Sequence, residues 1–152
     1  MYEKTFGRLR GAKELTEYVS SYRRKGLKDL EISPPFDLFP DQPVPPGISP
    51  KSNEYRSWPL GERAGVYMIY SVGFEILYIG KASMSQNIAT RLSGWFTGGE
   101  KCILKHRWPE PPRFLINIAV PDDMPFEAPA IEEYLIGLLK PKGNTCGMKL
   151  KE

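Results

Sequence analysis

The stretch Ala64-Gly65-Val66-Tyr67-Met68-Ile69-Tyr70-Ser71-Val72-Gly73-Phe74-Glu75-Ile76-Leu77-Tyr78-Ile79 decides the fold. Two runs rich in Val, Ile and Tyr, Ala64 to Tyr70 and Glu75 to Ile79, flank a turn at Ser71-Val72-Gly73-Phe74. β-Branched and aromatic side chains fit a pleated, half-buried surface, so the stretch reads as a β-hairpin. The register has a chemical consequence. An even-numbered turn sets Tyr67 directly opposite Tyr78, with Cβ atoms ~5 Å apart on one face. An odd-numbered loop sends the two rings to opposite faces.

Downstream, Gln86 to Phe96 reads as a helix with Ile88, Leu92 and Trp95 on one face and Gly98-Gly99 as its stop. Phe114 to Val120 reads as a third strand, entered through Pro109, Pro111 and Pro112 and closed by Pro121-Asp122-Asp123. Ala128 to Leu139 reads as a final helix, with Ile131, Leu135 and Leu138 toward the core and Pro141 ending it. The order β-β-α-β-α predicts a small α+β domain, a three-stranded antiparallel sheet flanked by helices.

Upstream, residues 11–30 read as an amphipathic helix carrying Leu15, Val19 and Tyr22 on one face. Its cations, Lys13, Arg23, Arg24, Lys25 and Lys28, crowd toward the end. They suit the negative end of a helix dipole, or a phosphate-contacting arm. Residues 32–60 hold Pro34-Pro35, Pro40, Pro43, Pro45-Pro46, Pro50 and Pro59, which rule out a continuous helix. Phe36, Leu38, Phe39 and Trp58 interrupt them. The segment either lies extended against the core or serves as a semi-rigid linker. The chain thus divides into an N-terminal helix and proline-rich extension, 1–60, and a domain, 61–152.

Composition narrows the class. Over 152 residues, 41% hydrophobic content supplies a core, so the chain is globular and not disordered. A net charge of +3 is a mild bias toward anionic partners. Cys102, Cys146 and the single histidine, His106, do not make a zinc site. Met1 to Thr5 carries no signal-peptide core, and no run approaches the ~20 apolar residues of a membrane helix. A soluble, cytoplasmic protein with no membrane partner is expected, with inert thiols.

The chemistry-bearing residues recur in a definite order. Gly65-Val66-Tyr67 is followed by Tyr78-Ile79-Gly80-Lys81-Ala82, then Arg91-Leu92, then Ile131-Glu132-Glu133-Tyr134-Leu135-Ile136, then Pro141-Lys142-Gly143-Asn144. Neither tripeptide means anything alone, but the set in this order is specific. Over about residues 64–144 the chain resembles the GIY-YIG nuclease family. That family includes the incision domain of a bacterial excision-repair nuclease, homing endonucleases and some restriction enzymes.

Residue chemistry agrees with that likeness. Gly80 permits close approach of a backbone or phosphate. A lysine beside a phenol favours the phenolate, which gives Lys81 a purpose. Arg91 borders the apolar face of its helix, and a guanidinium can grip two phosphate oxygens. Glu132 flanks the core stripe while Glu133 points to solvent. A carboxylate at the core's edge needs a cation, either a salt-bridge partner or a metal, and magnesium is often held by one or two carboxylates.

The resemblance implies a metal-dependent endonuclease that hydrolyses DNA by in-line attack, with Mg2+ or Mn2+ at Glu132. Tyr67 or Tyr78 would take the proton of the attacking water, assisted by Lys81 or a bound water, and Arg91 would neutralise the phosphate. Gly65, Gly80 and Asn144 would support the site. One turn after the arginine, where such proteins often carry Tyr or His, this chain has Trp95, which donates a hydrogen bond but cannot act as a base. His106 could supply that function from the next loop. Gly143 stands where an aromatic residue commonly precedes the Asn. The alternative is a catalytically weak or inactive nucleic-acid-binding module of the same fold. RNA as substrate and the oligomeric state stay open.

Overall fold

A computed structural model of the chain describes residues 1–40, 43, 58–97, 103–104, 108 and 110–145. In chain order the elements are helices α1 (Glu3–Phe6) and α2 (Ala12–Glu17), a π-helical turn (Tyr18–Tyr22), and strands β1 (Glu31–Ile32) and β2 (Phe36–Asp37). The hairpin β3 (Gly65–Ser71) and β4 (Ile76–Ala82) follows, then helix α3 (Ile88–Leu92) and the short strands β5 (Phe96–Thr97) and β6 (Ile103–Leu104). Strand β7 (Pro112–Ala119) and helices α4 (Glu127–Leu139) and α5 (Lys142–Thr145) complete it. The fold is α+β, as the alternation of patterns predicted. None of the described helices is long and apolar enough to cross a membrane.

β3 lies between β4 and β7, antiparallel to both. Every residue of β3 and β7 is buried, because both faces of the sheet are covered. One face carries Val66, Met68, Tyr70, Ile116 and Ile118, packed under α2 and α4. The other carries Tyr67, Ile69 and Leu115, packed against Ile88 and Leu92 of α3.

The sheet is larger than the expected three strands. β1 and β2 both pair with the outer edge of β7, Glu31 opposite Ala119 and Phe36 opposite Leu115. They form one edge strand split in two, and Ser33-Pro34-Pro35 falls in the gap. Proline has no N–H to give a ladder, so the edge is where it is tolerated. The segment is tied down by a buried ion pair: Arg113 Nε and Nη2 lie 2.6 and 2.7 Å from the two carboxylate oxygens of Asp37. Leu38 is fully buried, and Phe39 and Trp58 pack on the same cluster. The described part of the proline-rich segment therefore lies against the core.

The hairpin reaches its register by an unexpected route. Ser71 N–H donates to Glu75 O at 2.8 Å, which leaves the three-residue loop Val72-Gly73-Phe74, with Phe74 at φ +71°. An odd loop alone would send Tyr67 and Tyr78 to opposite faces. A β-bulge then shifts the register, because Tyr70 pairs with Ile76 but Ile69 pairs with Tyr78, so Leu77 is the extra residue. Ile76 and Ile79 consequently face the same core cluster although they are three apart. The two odd counts cancel, and the tyrosines share a face. They are diagonal neighbours, since Tyr67 stands opposite Gly80 and not opposite Tyr78.

Three helix expectations are corrected. The helix expected over 11–30 starts at Ala12 and ends through the π-helical turn at Tyr22; Arg23 is extended and Gly26 has φ +89°, outside helical space. The helix expected over 86–96 is only Ile88–Leu92, capped by Asn87 Oδ1 accepting from Thr90 N–H at 2.8 Å. On α4 the core stripe is Ala128, Ile131, Leu135 and Leu139, while Leu138 is exposed. Gly98-Gly99, Pro109, both cysteines and His106 lie outside the described residues.

Candidate active site

The hairpin, α3 and α4 bring four charged or phenolic side chains to one corner of the sheet. Tyr67 is fully buried, and its ring lies over Gly80. A Cβ at Gly80 would fall 2.8 Å from Tyr67 Cε2 and closer still to Cζ and Oη. Gly80 is therefore needed as room for the Tyr67 ring. Gly65 serves another contact: its Cβ would lie 2.9 Å from the carbonyl carbon of Ile118, closer than β3 and β7 could then pair.

Tyr78 is half-buried and stacks on Tyr67, ring centroids 6.1 Å apart at 30°. Trp95 tilts against Tyr78 at 4.7 Å and against Trp108 at 5.3 Å. Its indole Nε1–H donates to Tyr67 Oη at 2.9 Å. The turn Ser93-Gly94, continuing past the end of α3, delivers the indole to this point.

Electrostatics tie the groups together. Burial pushes the Tyr67 hydroxyl above its ordinary value; the Trp95 hydrogen bond and the Arg91 guanidinium pull against it, and Glu132 adds to the rise. Tyr78 is pushed up to about 12, by burial first and then by Tyr67 and Glu132, with Arg91 again opposing. Burial also raises the Glu132 carboxyl, against Lys81 and Arg91. One guanidinium thus acts on all three groups. Arg91 is exposed, in the last turn of α3, and donates to Gln86 Oε1 at 3.3 Å.

Lys81 is placed differently from its neighbours. It pairs with Val66, so strand alternation turns it to the α4 face, away from Tyr78 and Gly80. There it acts on Glu132. Among the described residues Arg91, and not Lys81, is the cation that lowers the two tyrosines.

Glu132 is half-buried on α4, and Glu133 is exposed. Among the described residues the Glu132 carboxylate makes no hydrogen bond or ion pair, and no three acidic, histidine or cysteine side chains cluster. A single unpaired carboxylate is enough for an ion that keeps most of its waters, as magnesium does, although the neighbouring Lys81 and Arg91 charges oppose it. Asn144 has a structural place. Its Oδ1 accepts from Ile79 N–H at 2.8 Å and its Nδ2 donates to Ile79 O at 2.9 Å, so one side-chain amide substitutes for a strand partner along the free edge of β4.

The sequence reading did not name Trp108, and it did not reach the part played by Trp95. The indole's donor was visible in the sequence, but its target depended on where α3 stops. A family model described as the GIY-YIG catalytic domain matches residues 63–145, a span that runs from just before β3 to the end of α5. No curated protein matches, and no solved structure does.

Proposed function

The chain belongs to the GIY-YIG family, and from that membership we propose that it is a nuclease, a metal-dependent endonuclease hydrolysing DNA phosphodiester bonds. The observation that carries this reading is the convergence of Tyr67, Tyr78 and Glu132 on the charge of Arg91.

Glu132 would hold Mg2+ or Mn2+. Bound there, the ion supplies positive charge for the oxygen that leaves. Arg91, exposed at the end of α3, grips the non-bridging oxygens of the scissile phosphate and offsets the charge that builds on them. Lys81, whose charge also acts on Glu132, adds to the field that attracts a polyanion. The proton of the attacking water would go to a tyrosine that has first given its own proton to solvent, so that the phenolate is the base. Tyr67 is favoured, because the Trp95 N–H and the Arg91 charge both stabilise its anion. Tyr78 lies half-exposed beside it, raised to about 12, and supplies the wall of the site.

One observation favours the second reading, a nucleic-acid-binding module with weak or no catalysis. Tyr67 is fully buried and both phenols are raised, which opposes proton abstraction near neutral pH. The test is cleavage of supercoiled plasmid, branched DNA and RNA with Mg2+ or Mn2+, comparing the parent with Glu132→Ala. Metal-dependent nicking lost in the variant supports the nuclease. DNA binding with no cleavage by either protein supports the module.

A further inference from the structure

We propose that Trp95 is a positioning residue for Tyr67: its indole N–H holds the Tyr67 hydroxyl as a hydrogen-bond acceptor, leaving that hydroxyl's own proton and second lone pair to the reacting groups. The inference rests on the nuclease reading for its catalytic meaning, and on geometry for the contact itself.

An indole nitrogen can only donate, so the 2.9 Å bond from Trp95 Nε1 has one direction, and Tyr67 Oη must accept it. Histidine or tyrosine at this point could donate or accept and would leave the direction open. The indole is itself held on two sides, by Tyr78 at 4.7 Å and Trp108 at 5.3 Å. Gly80 makes the pose of Tyr67 possible by giving up its Cβ. Among the described residues nothing accepts the Tyr67 proton. The charged and titratable groups facing this hydroxyl are Arg91 from α3, Glu132 from α4 and Tyr78 from β4. Trp95 is the neutral donor among them, and its contribution does not change with pH.

The test compares Trp95→Phe, which keeps a ring and loses the N–H, with the parent and with Trp95→His. Cleavage by Trp95→Phe at neutral pH is expected to fall about tenfold, the weight of one hydrogen bond to a developing anion. The deficit should hold unchanged across neutral pH, where the buried phenol stays protonated in both proteins, with KM unchanged, and Trp95→His should recover part of the loss. A role in packing alone would raise KM, or leave Trp95→His as slow as Trp95→Phe, and either result overturns the proposal. A second measurement does not need activity. In Tyr67→Phe the Trp95 indole N–H resonance should move upfield and exchange faster, while that of Trp108, whose Nε1 has no partner among the described residues, stays in place. An unmoved Trp95 resonance refutes the contact. An inactive parent with a moved resonance refutes the nuclease reading and leaves the contact standing.

Discussion

Replacing Gly80 with alanine tests the geometry of the site most directly. The added methyl would sit 2.8 Å from Tyr67 Cε2 and closer to Cζ and Oη, whereas ordinary contact begins near 3.4 Å. The φ of Gly80 is not among the positive values, so the substitution introduces crowding and no backbone strain. The ring cannot yield freely, because it is fully buried, stacked on Tyr78 and bonded to Trp95. Its hydroxyl must retreat by about 1 Å, a displacement that can remove about a hundredfold of catalysis. Overpacking of this kind costs about 1–3 kcal/mol, or roughly 3–10 °C in Tm for a chain of this size. The assay is plasmid nicking with Mg2+ alongside thermal unfolding. Gly73→Ala is the control, since its Cβ meets nothing nearer than Ser71 Oγ at 3.8 Å and should leave both quantities unchanged. Full activity and parental Tm in Gly80→Ala would refute the placement of Tyr67 over this strand, and with it the account of the site.

Glu132→Gln is expected to lower metal-dependent cleavage by about a hundredfold or more while the fold persists. Burial raises the Glu132 carboxyl, so its ionisation opposes folding; that penalty exists at neutral pH and fades as pH falls toward and below 4.5. Glu132→Gln should accordingly melt slightly higher than the parent at pH 7, with the gap closing in acid, and a lower Tm at pH 7 would contradict this. Asp37→Ala removes the carboxylate paired with the buried Arg113 guanidinium and should cost about 3–5 kcal/mol in urea unfolding. A loss under about 1 kcal/mol would mean that this pair does not hold the split edge strand. Asn144→Ala removes both bonds to Ile79 and should speed amide exchange at Ile79 well before global unfolding, at about 1–3 kcal/mol of local stability. Unchanged protection there would deny Asn144 its place on the β4 edge.

The two central strands and α4 were legible because local preference and tertiary demand agree there. Val66, Ile69, Ile116 and Ile118 suit a sheet covered on both faces, and Glu127–Leu139 carries an uninterrupted apolar stripe. The site residues were legible by type and order, since Arg91, Glu132 and the tyrosines each suit one task. What sequence did not show depends on contacts far apart in the chain. The edge strands at residues 31–37 are two residues each and exist because β7 offers them an unpaired edge. The helix expected over 11–30 broke early, and beyond the break Arg23 pairs with buried Glu127, 104 residues away. Lys81 and Tyr78 looked like neighbours in sequence, yet alternation sends them to opposite faces of the strand.

The hairpin's bookkeeping also governs which length variants of this protein can exist. Shared facing of Tyr67 and Tyr78 depends on an odd loop and one extra residue at Leu77 taken together. Deleting or inserting a single residue between Ile69 and Tyr78 would invert the strand beyond it, turning Tyr78 and Gly80 toward α4 and Lys81 toward α3, without altering a functional side chain. Two residues gained or lost would restore the arrangement. The loop is thus free in sequence and constrained in parity, and a one-residue indel there is the smallest change that dismantles the site while leaving its composition intact.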